Sequence, residues 1–331
     1  MPGGGRPPCR GPARCAPPPA GLDLDQIRDR TADIVSEYAT LVDERMTRSV
    51  LVEAGDAQGA HAAARAVDAR FGELRAITRG TSRFAELLAV RHEIVGPLLY
   101  LRLEFATGDA SGHNMATLAA DALLSHLLTH VPGLTYGSIS ANYCTDKKAT
   151  AVNGILGRGK NVTAEILVPR AVAERRLHTT AARIVRLNTT KNLIGTLLAG
   201  GIRSANAHYA NMLLAFYLAT GQDAANIVEG SQGVTYAEDR DGDLYFSCTL
   251  PNLIVGTVGN GKGLPAVEEA LTRLGCRQDR PTGANARRLA ALAAATVLCG
   301  ELSLLAAQTN PGELMSAHTR LERAAGPRHA Q

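Results

Sequence analysis

Between residues 49 and 137 the spacing of apolar residues switches between two periods in a fixed order, and few folds can accept that order. "SVLVEA" is short and β-branched, and "AHAAARAVDARFGELRAI" has helical spacing. "EIVGPLLYLRLEFAT" alternates apolar and polar residues around a Gly-Pro break, "HNMATLAADALLSHLLTHV" is helical again, and "LTYGSISANY" alternates once more. A βαββαβ order made of two strand-helix-strand units predicts a small ferredoxin-like domain within an α+β protein.

At 331 residues the chain has length for roughly two domains. Residues 1–21, "MPGGGRPPCRGPARCAPPPAG", are dominated by Pro, Gly and Arg and hold no apolar block long enough for a secretory signal, so a disordered tail is expected. Over 22–48, "LDLDQIRDRTADIVSEYATLVDERMTR" reads as one helix followed by a short strand and a turn. A loop over 138–150 follows the small domain. From 151 to 323 the chain reads as mostly helical, with long Ala/Leu-rich runs, and 324–331 reads as a flexible tail. The most apolar run, "LAALAAATVLCGELSLLAA", is interrupted by Glu301 and reads as a buried helix, not a membrane span. The six cysteines show no C-x-x-C spacing, which fits a reducing, cytoplasmic compartment. A net charge of +4 and the absence of Trp give no support to a nucleic-acid partner.

Several stretches could carry chemistry. "TGDASGHNMATLAADALL" sets two glycines and a polar turn before a helix, where free N–H groups and the positive end of the helix dipole suit an anion such as a pyrophosphate. Its spacing is not that of a Rossmann fingerprint, and an ordinary helix start capped by Ser111 or Asn114 is the alternative. In "SISANYCTDKKATAVNGILGRGK" three charges, Asp146, Lys147 and Lys148, stand side by side. A lysine screened from water beside a carboxylate stays cationic and can stabilise an oxyanion; a solvated turn is the alternative. His208 and Asn211 are three apart and would share a face of an otherwise apolar helix, where a buried Asn needs a partner. Asp223 follows Gly221 and reads as an N-cap for "AANIVEG", and His318 alone reads as a surface histidine. No zinc set, nucleophile elbow or P-loop appears, and no metal is expected.

Taken in order, "TSRFAEL", "TGDASGHNM", "NYCTDKKATAVNGILGRGK", "KNLIGTLLAGGIRSANAHYANM", "ATGQDAAN", "DLYFSCTLPNLIVGTVGNGKGL" and "GELSLLAAQTNPGEL" resemble the catalytic portion of the 3-hydroxy-3-methylglutaryl-CoA (HMG-CoA) reductases from about residue 38 to 323. The resemblance is to the class I type in a soluble, anchor-free form. It implies reduction of HMG-CoA to mevalonate and free coenzyme A with two molecules of NADPH, in at least a dimer with active sites between subunits and without a membrane partner. It further implies a small NADPH-binding domain over 49–137 inserted into a large HMG-CoA-binding domain, with residues 22–48 as the N-terminal remnant of the latter.

Carried over position by position, the resemblance makes Lys147 the oxyanion stabiliser, Asp223 the group that hydrogen-bonds to it, and His318 the acid that protonates the departing thiolate. Arg48, Ser140, Asp146, Lys148, Lys191 and Asn211 match positions that hold the hydroxymethylglutaryl end, with His208 in support. Asp109, Ser111, Gly112, Asn114 and Gly256 match cofactor-side positions, while Ser82, Arg83 and Arg323 match positions near a 2′-phosphate. The family also places a catalytic glutamate in an N-terminal segment, where this chain has "PARCAPPPAGL" without an acid. A mis-chosen or truncated start, replacement by Glu37 or Glu44, and an inactive CoA- or nucleotide-binding relative are the competing expectations; with the first, the chain as written turns over poorly.

Overall fold

The computed structural model describes residues 38–259 and 261–316 together with Thr319. The chain within them opens on one strand, β1 (Ala39–Glu53), whose 15 residues run about 50 Å at the usual rise of a strand. Its first half pairs antiparallel with β5 (Gly159–Val168), and its second half pairs with β3 (Leu98–Ala106), from Met46 opposite Phe105 to Glu53 opposite Leu98. This corrects the expected short strand and turn, since 39–48 are continuous strand; residues 22–37, where the expected helix begins, lie outside the described residues. Asp43, Glu44 and Arg45 obscure the alternation because β1 crosses between two apolar cores, and the charged residues at the crossing pair with Lys160, Arg287 and Glu104.

Two helices follow where one was expected, α1 (Ala57–Ala69) and α2 (Phe71–Thr81), broken at Arg70. Val67 and Leu74, seven residues apart, both bury on the same side, so the apolar period runs straight through the break and hides it. β2 (Glu86–Val95) and β3 form a hairpin around Gly96, whose positive φ of 57° makes the tight turn, and α3 (His113–His130) and β4 (Thr135–Ser138) complete the unit. β4 pairs with the free edge of β1, giving the antiparallel order β4–β1–β3–β2. Helices α1 to α3 cover it over a core that includes Val50, Leu101, Phe105 and Leu123.

Beyond it come α4 (Ala151–Leu156), β5, α5 (Arg170–Arg176) and α6 (Ala181–Leu187), which runs on as a π-helix over Asn188–Gly195 and a last turn over Thr196–Leu198. β6 (Ser204–Ala205), α7 (Tyr209–Ala219), a 3₁₀ turn (Ala224–Asn226), α8 (Ile227–Gly230), β7 (Gly233–Arg240) and β8 (Asp243–Leu253) follow, then α9 (Pro265–Arg273) and α10 (Ala284–Gln308). The strand order is β1–β5–β8–β7–β6, so a sheet that the pattern did not announce runs through this half beside its helices. β8 escapes a pattern reading because it is buried over most of its length, which removes the alternation of a half-exposed strand.

Helix α10 has the length and composition of a membrane span, yet it packs against β5, β8 and α7, with Leu289, Ala293, Val297 and Leu305 fully buried. Its single carboxylate, Glu301, is buried but satisfied: it accepts the N–H groups of Ala207 (2.6 Å) and His208 (3.0 Å) and the hydroxyl of Thr235 (2.9 Å). The two cores are joined by a buried arginine. Arg102, on β3, donates to Glu104, to Asn153 Oδ1 at 2.9 Å on α4, and to the Gly157 carbonyl at 2.7 Å before β5.

Candidate active site

The loop after β4 returns across the junction between the cores and is fastened from several sides. Cys144 N–H donates to Ser49 Oγ on β1 (3.0 Å), and Asn153 Nδ2 donates to the carbonyls of Cys144 (3.2 Å) and Thr145 (3.1 Å). Held this way, the backbone takes left-handed values at three residues that are not glycine: Asn142 (φ 58°), Thr145 (47°) and Lys147 (57°). Each costs about 1–2 kcal/mol for an L-residue, so the loop persists only because its surroundings fix it.

At the loop's tip Lys147 Nζ lies 2.8 Å from Asp223 Oδ2, while Asp223 Oδ1 accepts the N–H of Ala225 and caps the 3₁₀ turn. The N-cap reading and the lysine-partner reading of Asp223 therefore both hold, one oxygen each. The expected neighbour, Asp146, takes a different partner, Arg158 Nη1 at 2.9 Å. Nor is Lys147 largely screened from water: its side chain is 42% exposed within this chain. Asp223 raises the Lys147 pKa above the ordinary lysine value, chiefly through their hydrogen bond. Burial pushes Asp223 up, but the Lys147 ammonium and the Ala225 N–H outweigh it, and the carboxyl lies below its ordinary value.

Asp223 thus favours the folded state above the ordinary aspartate range, and its contribution is lost as pH falls through its lowered pKa. Lys147 contributes below the ordinary lysine value and loses its contribution as pH rises through its raised pKa. Asp223→Asn is accordingly expected to bring deprotonation of Lys147 to lower pH, moving the alkaline limb of any Lys147-dependent rate in the same direction. A limb that stays in place would assign it to another group.

The pair opens into a cavity of about 590 Å³ that also reaches Arg48, Ser111, Asn114 and Lys262. Arg48, from β1, donates to the Ile139 carbonyl. The floor is the N-terminus of α3. Its N-cap is Gly112 at φ 95°, with no side-chain cap, so neither Ser111 nor Asn114 caps the helix and both line the opening. A Cβ at Gly112 would sit 2.6 Å from Thr107, and one at Gly256 would sit 2.3 Å from the Ser111 nitrogen. Glycine at 256 lets the later glycine-rich loop lie directly on the first, enclosing a second space of about 210 Å³ around Ser111, Gly112, Asn114 and Lys262. Asp109 is committed elsewhere, since its carboxylate accepts the N–H groups of Gly283 and Ala286 at the start of α10. A further cavity, about 750 Å³, lies away from Lys147, at Arg83, Phe84 and Arg287. Arg83 stacks over the Phe84 ring at 4.6 Å, and Ser82 Oγ accepts the Phe84 N–H.

The remaining expected residues are not gathered here. Ser140 is exposed and turns back on Ser138, and Lys148 Nζ donates to the Asp146 carbonyl. Lys191 sits in the π-helix, donating to Asn192 Oδ1, with its pKa lowered by burial. His208 and Asn211 do not share a buried helix face. His208 is the N-cap of α7 and bonds through Nε2 to the Gly300 carbonyl, while Asn211 is exposed and has no need of the buried partner expected for it. No hydrogen bond or ion pair described in the chain joins Lys191, His208 or Asn211 to the Lys147–Asp223 pair. His318 and Arg323 lie outside the described residues, as does Glu37.

Sequence reasoning passed over several residues that the fold brings to this place. Lys262 stands inside the quoted glycine-rich loop and lines both cavities around Ser111, so a lysine among glycines was the available signal. His113, on the first turn of α3, lines both as well; its Nε2 is 3.8 Å from Asp146 Oδ1, and burial lowers its pKa. Arg158 and Glu229 lie fully buried beneath the loop and gave no signal.

Residues 33–323 match the family model for hydroxymethylglutaryl-coenzyme A reductase. The 3-hydroxy-3-methylglutaryl-coenzyme A reductase of Pyrococcus horikoshii is 46% identical over 272 residues, covering 81% of this chain and 65% of the relative. That of Aeropyrum pernix is 44% identical over 287 residues, covering 86% of this chain and 68% of the relative. The chain thus spans about two thirds of the length of these curated relatives. Among solved structures, the class II 3-hydroxy-3-methylglutaryl-CoA reductase of Streptococcus pneumoniae bound to NADPH superposes with a TM-score of 0.61 over 88% of this chain and 79% of that one. At 17% identity it is a likeness of fold.

Proposed function

Since the chain belongs to the hydroxymethylglutaryl-coenzyme A reductase family, we propose that it reduces 3-hydroxy-3-methylglutaryl-CoA to mevalonate and free CoA at the expense of two NADPH. The observation that carries this reading is the Lys147–Asp223 pair, 2.8 Å apart, at a cavity that runs to an uncapped helix N-terminus. A cation held by a carboxylate suits an oxyanion growing on a thioester carbonyl, and then on an aldehyde. Asp223 keeps the Lys147 ammonium protonated until that charge appears. Arg48 and Asp146, which line the cavity, are the chain's own candidates for the hydroxymethylglutaryl carboxylate and hydroxyl, with Lys148 and Ser140 nearby in sequence. His318 is assigned to protonate the departing thiolate.

The residues fit a dinucleotide. The open first turn of α3, glycine at 112 and 256, and Lys262 beside them suit a pyrophosphate, and Arg83 with Arg287 at the 750 Å³ cavity suits a further phosphate. When bound there, NADPH supplies hydride. Asn114 and Ser111 would orient it, and Asp109 would act through the loop that it ties to α10. The strand order β4–β1–β3–β2 under α1 to α3 supports a ferredoxin-like cofactor domain, and the two apolar cores support division into a 49–137 unit and a 151–323 unit.

Lys191, His208 and Asn211 serve the same chemistry on a partner subunit in this reading. Apolar side chains exposed beside them, among them Leu193, Ile194, Leu197, Leu198 and Leu218, suit a second copy as the cover. Leu197 and Leu198 are 78% and 83% exposed, so Leu197→Glu with Leu198→Glu should leave the fold intact while light scattering shows monomer and activity is lost. An unchanged dimer mass would place the interface elsewhere. Burial of α10 and the free state of Cys144, Cys248, Cys276 and Cys299 support a cytoplasmic protein.

The direct test follows reduced-nicotinamide absorbance with HMG-CoA and separately with mevaldehyde. Oxidation with both is expected. None with either, in a folded protein that binds NADPH, would reject the reading.

A further inference from the structure

We propose that Glu229 is a positioning residue for Lys147, gripping the lysine's backbone while Asp223 grips its ammonium. The inference rests on the reading of Lys147 as the oxyanion-stabilising cation. Both carboxylates come from one short segment. Asp223 opens the 3₁₀ turn that leads into α8, and Glu229 lies near the end of α8. From there Glu229 Oε1 accepts the backbone N–H of Lys147 at 3.1 Å, while Asp223 Oδ2 receives Lys147 Nζ at 2.8 Å. One rigid piece of chain thus holds a single residue at both ends, and the direction in which the side chain leaves the loop is set by the two grips together.

Glu229 is fully buried, and the same Oε1 also accepts Asn226 Nδ2 at 2.9 Å and Arg158 Nη1 at 2.9 Å. Arg158, itself 1% exposed, reaches Asp146 Oδ1 at 2.9 Å with the same nitrogen. Asp146 and Lys147, adjacent in sequence, are thereby tied to one buried ion pair, Asp146 by its side chain and Lys147 by its amide. A carboxylate needed only to neutralise Arg158 would be redundant, because Asp146 already does so. What Glu229 adds is the bond to the Lys147 amide, at a residue whose φ of 57° needs an external hold.

The charged and titratable groups facing the lysine are Asp223 and Glu229 from this segment, Asp146 from the loop, Arg158 from the start of β5, His113 from α3 and, across the cavity, Arg48 from β1 and Lys262. Tyr217 on α7 faces Glu229 from the other side. Glu229 adds to the stabilisation of the Lys147 cation, less than Asp223 does.

Glu229→Leu in the full chain, which leaves no acceptor oxygen for the Lys147 amide, tests the proposal by two readings. Hydrogen exchange should show lost protection of the Lys147 amide with other segments unchanged. The kcat should fall by about 10²-fold, as for a misdirected catalytic group, with KM for NADPH held within about twofold. Glu229→Asp, which keeps the charge but withdraws the oxygen from the amide, should give the same pattern and serves alone if the leucine variant does not fold. Wild-type kcat in either variant despite lost amide protection overturns the proposal, and so does a fall in kcat accompanied by loss of protection throughout. If instead Lys147→Ala remains active, it is the reading of the lysine that fails, and the two failures are told apart.

Discussion

Lys147→Ala is expected to lower kcat for NADPH oxidation with HMG-CoA by about 10²–10³-fold while leaving the thermal midpoint close to that of the parent chain. The two halves of this expectation have separate grounds. Side chains of Lys147 and Asp223 are 42% and 43% exposed, so truncating the lysine returns Asp223 to water and leaves no buried group unpaired. Exposed pairs contribute little to stability, whereas a cation facing a developing oxyanion contributes to the rate what water cannot. The Glu229 bond to the Lys147 amide survives the substitution, because it needs only the backbone. A protein of this family that merely binds nucleotide or CoA would have no oxidation to lose, so an inactive parent chain with normal NADPH binding would count against the enzyme reading. A variant as active as the parent would remove Lys147 from the mechanism.

What could be read in the sequence divides along the range of the interactions. Periodicity located α3, the β2–β3 hairpin and the buried character of α10, since each depends on side chains within a few residues of one another. It missed β1, whose charged middle is explained only by Lys160, Arg287 and Glu104, all remote in sequence. It missed the sheet of β5 to β8; for β8 the reason is that a strand buried over most of its length loses its alternation. At the site, the motif order pointed to Lys147 and Asp223, and the fold brings them within 2.8 Å across 76 residues of chain. The surroundings differ from the reading: Asp146 serves Arg158, Asp109 caps α10, and Asn211 faces solvent. Arg102, Arg158 and Glu229 were illegible because an isolated buried charge has no sequence signature; its partner set exists only once the loops have folded over it.

Arg102 carries the largest expected effect on stability. Its side chain is fully buried and donates to Glu104 Oε1 (3.2 Å), Asn153 Oδ1 (2.9 Å), the Gly157 carbonyl (2.7 Å) and the Tyr143 carbonyl (3.4 Å). Arg102→Met should destabilise the chain by about 3–5 kcal/mol, the range for removing one member of a buried charged network, seen as a lower urea midpoint. Glu104 alone would not produce that loss, because Arg45 and Arg91 still reach it and are only partly buried. The larger part comes from Asn153 and the Gly157 carbonyl, both buried, which lose a donor that water does not replace. The double variant Arg102→Met, Glu104→Leu separates the contributions. Removing the carboxylate as well frees Arg45 and Arg91 toward solvent and should restore part of the midpoint, while the acceptors on the loop side stay unpaired. Full restoration would mean that Glu104 was the whole penalty and that Arg102 does not hold the loop. Partial restoration, with residues 143–157 losing hydrogen-exchange protection before the rest, would fit a buried arginine that fastens the lysine's loop to the junction between the two cores.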